Sequence, residues 1–342
     1  MLHTFANLPL EIEHAISSIL SKDDSGEWLK RAEILHALYM DQNKKSSSKY
    51  IKDYSDALAY LGLRVPATYA QIFGALSQVQ EIIPSFNPKS LLDIGTGPGT
   101  GIWAAKEIWK SLEFTTCIDQ DDNFLSLNKE ILQKASVSIR TSFRQEGIRY
   151  MKNDRTTYDV VLIANILNEL SDADKKDLLQ KAYASCSGVL IIIEPGTSLG
   201  VKIINEASGY FSGNAPLLAP YINNSYVESK EYWIHFSQRF IRPEFQRRLR
   251  QSMRESNLMA SDWEETKYAY VAIGKIPPEN KSWGRVIGPT KKQKGFLEVP
   301  ILTSDGINQI KVLKRNKNNY LFAKNLRWGE CIKDSKDLID QE

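Results

Sequence analysis

With three cysteines in 342 residues, the chain has too few thiols for a disulfide framework. Cys117 and Cys186 fall in or beside predicted strands and Cys331 falls near the end, with no C-x-x-C pair of the kind that holds zinc. This usage fits a reducing compartment, a bacterial cytoplasm or a mitochondrial matrix. Long apolar runs are also missing. No stretch reaches the roughly 18 residues that span a bilayer, and the opening MLHTFANLPLEIEHAISSIL carries Glu11 and Glu13 inside its apolar part. Neither a secretion signal nor a membrane segment is expected. An excess of one charge is absent as well: the formal net charge is only +3, so partners must be read from where the charges cluster. The sequence shows no internal repeat.

What is present is a glycine-rich segment, LLDIGTGPGTG, over residues 91–101. Leu91, Leu92 and Ile94 read as a short buried strand, the glycines force a tight turn, and Ile102 to Lys110 has a helical pattern. Gly95, Gly97 and Gly99 let backbone N–H groups and a helix N-terminus approach a ligand closely, and Pro98 stiffens the loop. Dinucleotide loops are spaced G-x-G-x-x-G and grip a pyrophosphate. Here the spacing is G-x-G-x-G with Asp93 just before it, which suits a ligand that carries an ammonium group. The reading is an S-adenosylmethionine loop.

Around the loop the chain divides into three expected parts. Residues 1–85 read as a helical region: Leu10 to Leu20, Glu27 to Asp41, a polar break over 42–48, Tyr50 to Leu63, and Ala67 to Ile83, with Pro66 separating the last two helices. Residues 86–275 read as the cofactor-binding domain. Apolar runs at Leu91 to Ile94, Phe114 to Ile118, Val137 to Phe143, Tyr158 to Ile163 and Gly188 to Ile193 alternate with helical stretches, which predicts a parallel sheet covered on both faces. Residues 211–240 look like an irregular insertion, and Tyr268 to Ile273 a late strand of the same sheet.

In such sheets ligands sit at the carboxyl ends of the strands. The residues there are Asp119 after the second run, Asn165 after the fourth and Glu194 after the fifth. Asp119 lies 18 positions beyond Gly101, near the spacing at which an acid meets ribose hydroxyls. The alternative is that Asp119 merely caps the next helix and Asp121 or Asp122 takes that role instead. The expected cofactor residues are Asp93, Gly95, Thr96, Gly97, Gly99, Asp119 and Asn165.

Residues 276–342 read as a basic β domain and tail. Between 281 and 327 there are eleven Lys or Arg against two acids, with apolar runs at Phe296 to Leu302, Ile307 to Leu313 and Tyr320 to Ala323 separated by turn chemistry. That suggests a small β-barrel, a shape often used on RNA. Candidate phosphate contacts are Lys291, Lys292, Lys294, Lys314 and Arg315, with Arg247 and Arg248 on a preceding basic helix that also carries Arg250 and Arg254. Trp283, Phe296, Tyr320, Phe322 and Trp328 interleave with these charges, mostly as core.

Several segments together resemble one family, the ribosomal small subunit protein 22 family, also known as methyltransferase-like protein 17. They are AYLGLRVPATYA (59–70), the glycine segment (91–105), ANILNEL (164–170), IIEPGTSLG (192–200), HFSQR (235–239) and LRWGE (326–330). The glycine loop is shared with many methyltransferases, whereas RVPATY, EPGT and HFSQR are more specific. The resemblance implies a class I, Rossmann-like methyltransferase sheet, an S-adenosylmethionine site, and a role in assembling the small ribosomal subunit on its rRNA. It also implies four cysteines that hold an iron–sulfur cluster, in stretches similar to APCPH, CPL, WCHF and LDLCT. This chain has APYIN (219–223), Tyr226-Val227-Glu228, WIHF (233–236) and VPILT (299–303) in their place, so no cluster is expected.

Catalytic chemistry is less marked. The position after the fourth strand reads Asn165-Ile166-Leu167-Asn168-Glu169, without the aromatic that clamps a base in many amino methyltransferases. Asn165, Glu169 and Glu194 are the catalytic candidates, each equally readable as structural. Methyl transfer can proceed by alignment alone, so a missing general base does not exclude an enzyme. The expectation is a methyltransferase acting on small-subunit rRNA; the alternatives are a non-catalytic rRNA-binding assembly factor and, third, a small-molecule methyltransferase. The sequence leaves the oligomeric state open.

Overall fold

The computed structural model describes residues 5–23, 26–40, 51–151, 156–227, 232–252 and 262–339. The expected polar break over 42–48, Tyr50, Glu228 and Arg254 lie outside them. Four helices open the chain: α1 (Leu10–Leu20), α2 (Glu27–Met40), α3 (Tyr54–Leu63) and α4 (Val65–Ile82). In α1 the residues Ile12, Ala15, Ile16 and Ile19 recur at helical spacing and are all buried. Asp53 caps α3 by accepting from the Asp56 N–H. Pro66 lies inside the first turn of α4 rather than between helices, because N–H groups in a first turn have no intrahelical partner and a missing one costs nothing there. Only Arg64 separates α3 from α4.

The alternating part follows as β1 (Ser90–Ile94), α5 (Thr100–Ile108), β2 (Phe114–Asp119), α6 (Asp122–Lys134), β3 (Arg140–Gln145), β4 (Tyr158–Ala164), α7 (Asp172–Ala184), β5 (Cys186–Pro195) and α8 (Ser198–Phe211). It continues with β6 (Leu217–Ala219), β7 (Phe236–Ile241), α9 (Glu244–Ser252) and β8 (Trp263–Gly274). These eight strands form one sheet in the order β3-β2-β1-β4-β5-β8-β6, with β7 also paired to β8. The first five are parallel and β8 runs antiparallel to β5, which is the class I methyltransferase arrangement. The run from Gly188 to Ile193 is buried throughout, as a strand covered on both faces requires.

The stretch expected as an irregular insertion is partly sheet. One edge of β8 carries β5, and the other carries β7 at one end and β6 at the opposite end. Phe236, Gln238 and Phe240 of β7 point inward in strict alternation, so HFSQR is a sheet strand. The helical front end and this sheet share one continuous hydrophobic core.

The chain ends in a second, five-stranded antiparallel sheet made of β9 (Gly284–Val286), β10 (Lys291–Gln293), β11 (Phe296–Thr303), β12 (Gly306–Leu313) and β13 (Cys331–Ile332), with α10 (Lys317–Asn325) packed against it. β11 holds β12 along one edge and both β10 and β9 along the other. Two of the three expected runs are strands. The third, Tyr320 to Ala323, is helical, because Tyr320, Ala323 and Leu326 meet the local core at a spacing of three rather than two. The two sheets are joined by Arg285 of β9, which is fully buried and donates to Pro220 O (3.1 Å), Gln78 Oε1 (2.8 Å) and Gly329 O (2.9 Å). Gln78 in turn holds the hydroxyls of Tyr268 and Tyr270 on β8. Losing the guanidinium would leave buried acceptors unpaired at roughly 1–3 kcal/mol each.

Candidate functional site

Register places the candidate residues side by side. Ile94 pairs with both Ile118 and Ile163, and Ala164 with Ile193, so Gly95, Asp119, Asn165 and Glu194 all lie at the carboxyl end of the sheet. The glycine loop is pinned there by its Gly95 and Thr96 N–H groups, which donate to Ile118 O at 2.8 and 3.0 Å. Its glycines do different work. A side chain on Gly95 would strike Ile166 at 2.6 Å, and one on Gly99 would strike the Asn128 carboxamide. At Gly97, with φ of +53°, an added Cβ would meet nothing within 4 Å, so the backbone there faces open space. With no side chain there, a ligand can lie directly against the loop backbone.

Asp119 stands at the lip of that space. Its Oδ2 accepts from Gly97 N (2.8 Å) and its Oδ1 from Asp121 N (2.9 Å), while burial raises its pKa. Asp121 caps α6 and Asp122 begins it, so Asp119 is the acid left facing the loop, with lone pairs to spare for ribose hydroxyls. Asp93 lies beneath the loop. It is 2 % exposed, accepts from Thr96 Oγ1 (2.7 Å), and burial pushes its carboxyl up to about 7. Asp93 therefore braces the turn from below.

On the other side of the loop Asn165 adopts a left-handed backbone, φ +59°, at the end of β4. Its Nδ2 donates to Gln71 Oε1 (3.1 Å), and Gln71 Nε2 donates to Thr266 Oγ1 (2.8 Å) and Lys267 O (3.0 Å). Sequence reasoning gives Gln71 no role. Its only signal is its place on α4, two positions after RVPATY. Glu194 is fully buried and accepts from Leu167 N (2.8 Å), holding the turn that carries Glu169; burial pushes its carboxyl up to about 8. Glu169 is exposed at the end of that turn. Cys117 and Cys186 are buried, and desolvation pushes their thiols up to about 12 and about 11, so neither supplies a thiolate nucleophile near neutral pH.

The four positions that the resemblance pairs with cluster cysteines carry Tyr221, Tyr226, Ile234 and Leu302. Tyr221, Ile234 and Leu302 are buried in the main core, and the rings of Tyr221 and Tyr226 meet edge-on at 5.4 Å. None offers a soft donor, so these residues do not fit an iron–sulfur cluster. His235 bonds Trp233 O (2.8 Å) and packs on Trp328. Among the described residues no three His, Cys, Asp or Glu side chains come together as a metal site.

The basic candidates fall on two surfaces. Lys291, Lys292, Lys294, Lys314 and Arg315 are exposed on the second sheet, where Lys314 N bonds Gly295 O (2.9 Å) and so brings the start of the segment after β12 beside the β10–β11 turn. Lys311 lies over the Phe296 ring of the same sheet, at 5.5 Å. Arg247 and Arg248 are exposed on α9, which packs on α1, α2 and α3, and Arg248 is paired with Glu244. Arg250 and Arg242 both bind Glu264 and are structural.

This sheet order, glycine loop and second sheet occur in a sequence whose residues 54–333 match the profile of a family described as mitochondrial small ribosomal subunit Rsm22. The chain belongs to the Rsm22 family. Among relatives in that family, the chain is 24% identical over 332 residues to the human "Ribosome assembly protein METTL17, mitochondrial", covering 88% of this chain and 67% of that protein. It is 22% identical over 392 residues to the "Rsm22-cox11 tandem protein 2, mitochondrial" of Schizosaccharomyces pombe, covering 97% of this chain and 50% of that protein. The chain thus spans about half the length of this yeast relative. Among solved structures it is similar to the plantazolicin methyltransferase BpumL in complex with a substrate analogue and SAH, with a TM-score of 0.41 and 11% identity over 76% of this chain and 99% of that one. This Rsm22-family chain is a methyltransferase-fold member of a small-ribosomal-subunit family.

Proposed function

We propose that this protein binds S-adenosylmethionine at the carboxyl end of its large sheet and acts on the rRNA of the immature small ribosomal subunit, as an assembly factor that transfers a methyl group. The observation that carries the reading is the open backbone at Gly97, with Asp119 fixing its N–H and Asn165 beside it. The bare backbone at Gly97 would let the ligand lie directly against the loop, Asp119 would take the ribose hydroxyls, and Asn165 would flank the donor. When bound, the cofactor supplies an activated methyl group on a sulfonium centre. The protein's share is then alignment, which alone provides much of the acceleration. The exposed lysines of the second sheet, which we take as a separate basic unit from about residue 276, would dock on phosphates. Relatives named as mitochondrial support a mitochondrial matrix location. No helix among the described residues is long and apolar enough to cross a membrane.

Calorimetry with S-adenosylhomocysteine tests the cofactor half. Binding is expected for the wild type and not for Gly97→Asn, whose side chain would enter the cradle and which tolerates the left-handed backbone there, with the fold checked by circular dichroism. No heat and no thermal shift at millimolar ligand would overturn it.

A second reading is a non-catalytic rRNA-binding factor whose cofactor only stabilises its shape. It is favoured by the bond that ties the Asn165 amide to Gln71 and by the absence of an aromatic in the turn after β4. Modification mapping of small-subunit rRNA decides between the two. If Gly97→Asn leaves every modification in place but impairs subunit assembly, the second reading holds.

A further inference from the structure

The segment HFSQR, 235–239, lies in and just before β7, and so far only its inward residues have a role. Phe236 packs with Tyr268 and Tyr270, whose hydroxyls meet Gln78, so this side of β7 and β8 faces α4. The alternate residues point the other way: Trp233, Arg239 and Ile241 are exposed, and His235 and Ser237 are partly so. On β8 the register sets Lys267 opposite Ser237, Glu265 opposite Arg239 and Trp263 opposite Ile241, and these three are exposed too. Position along the sheet explains why. β5 ends with Pro195 paired to Tyr268, and α8, which packs on β5 and β8, begins at Ser198. From Trp263 to Lys267, β8 therefore runs on past the carboxyl end of β5 with β7 as its partner.

This outer face borders the candidate site. Gly196 N donates to Lys267 O (3.0 Å), a side chain on Gly196 would strike Lys267 Cβ at 2.7 Å, and the same carbonyl accepts from Gln71, which holds Asn165. In one direction the face reaches Arg239, whose guanidinium lies over the Trp263 ring at 4.5 Å and whose Nε holds Glu265 at 3.1 Å. In the other it passes Trp233 and joins the basic sheet, where Trp328 Nε1 donates to His235 O (2.8 Å) and the Tyr232 hydroxyl to Ile287 O (3.3 Å). Rings interleaved with cations suit a single strand of RNA, whose bases stack on the rings while its phosphates meet the cations. A duplex hides its base faces and gains nothing from the rings. An added peptide strand is blocked at Arg239 to Ile241, because Ala6 N donates to Arg239 O and Ile241 N to Asn7 Oδ1, both at 2.8 Å. We propose that the face formed by Trp233, Ser237, Arg239, Trp263 and Lys267 carries the single-stranded rRNA segment that holds the target base and lays it beside Asn165. This rests on the rRNA reading above and adds to it the surface along which the substrate strand enters.

Fluorescence anisotropy of the full chain tests the inference with three labelled probes: a single-stranded fragment of small-subunit rRNA, the same fragment annealed to its complement, and polyglutamate. Trp233 is 52% exposed, so Trp233→Ala should leave the fold intact by circular dichroism. It should weaken the single strand by roughly 5- to 100-fold, the range for one lost stacking contact, and spare the duplex. Lys267→Gln should lower the salt slope of single-strand binding by about 0.7, one phosphate's share. Wild-type affinity for the single strand in both variants overturns the inference, as does an equal loss of single strand and duplex in Trp233→Ala. If Trp233→Ala weakens polyglutamate and spares both RNAs, the face belongs to an acidic protein segment and the inference fails. If the wild type binds neither RNA, the rRNA reading itself fails, an outcome distinct from the others.

Discussion

Replacing Glu194 by glutamine should make the protein more stable, and increasingly so as the pH rises. The carboxyl is fully buried, one oxygen accepts from Leu167 N at 2.8 Å, and the other has no hydrogen-bond partner. Burial raises its pKa from an ordinary 4.5 to about 8. Between those two values the folded protein holds a proton that the unfolded chain has released, so folding loses stability as the pH rises, by about 1.4 kcal/mol per pH unit. Below 4.5 both states are protonated and nothing is lost; above about 8 both are ionised and the cost is constant. The full cost has an upper bound of roughly 5 kcal/mol. Glutamine keeps the acceptor for Leu167 and cannot ionise. Guanidinium unfolding followed by tryptophan fluorescence should show the gap between variant and wild type widening by up to roughly 3 kcal/mol from pH 5.5 to 8.5. Asp93, pushed up to about 7 by the same cause, is present in both proteins and cancels. Parallel stability curves for the two proteins would refute the argument, and with it the view that Glu194 is a neutral brace under the turn after β4.

Two further outcomes follow from burial and charge. In the native protein Cys117 and Cys186 should resist a chromogenic disulfide reagent and react only after unfolding, since both are buried with raised thiol pKa values; rapid native modification at either would contradict that placement. Reversing the charge of Lys292, Lys294 and Lys314 together should weaken binding of a small-subunit rRNA fragment and flatten its salt dependence, by roughly 0.7–0.9 in slope for each phosphate that is no longer neutralised. Arg248→Glu should change little because that side chain is already paired with Glu244, and the reverse ranking would move the docking face to α9.

Much of this is legible in the sequence because the signals are local. An apolar run, three glycines and a helical pattern define the loop within about twenty residues, and the same alternation carries on to β5. The elements that sequence reasoning misreads lack such a signal. β6 is three residues between Pro216 and Pro220, too short to show a period. β7 does alternate, with Phe236, Gln238 and Phe240 on one side, but lies in a stretch dense in aromatics that masks it. Tyr320 to Ala323 is four apolar residues in a row, which strand and helix accommodate equally well until the packing partner is known.

By itself the sequence determined the sheet class, the glycine loop, the acids at the strand ends and the family, since each is written in residues close together or in fixed spacing. It could not separate Asp93 from Asp119, two acids flanking one loop, because one lies under the turn and the other at its lip. Nor could it join Gln71 to Asn165, 94 positions away, or Arg285 to Gln78, 207 positions away. Such contacts are set by how the helices settle on the sheet, and it is the burial they create, not the residue types, that makes Glu194 a neutral brace and leaves Gly97 open.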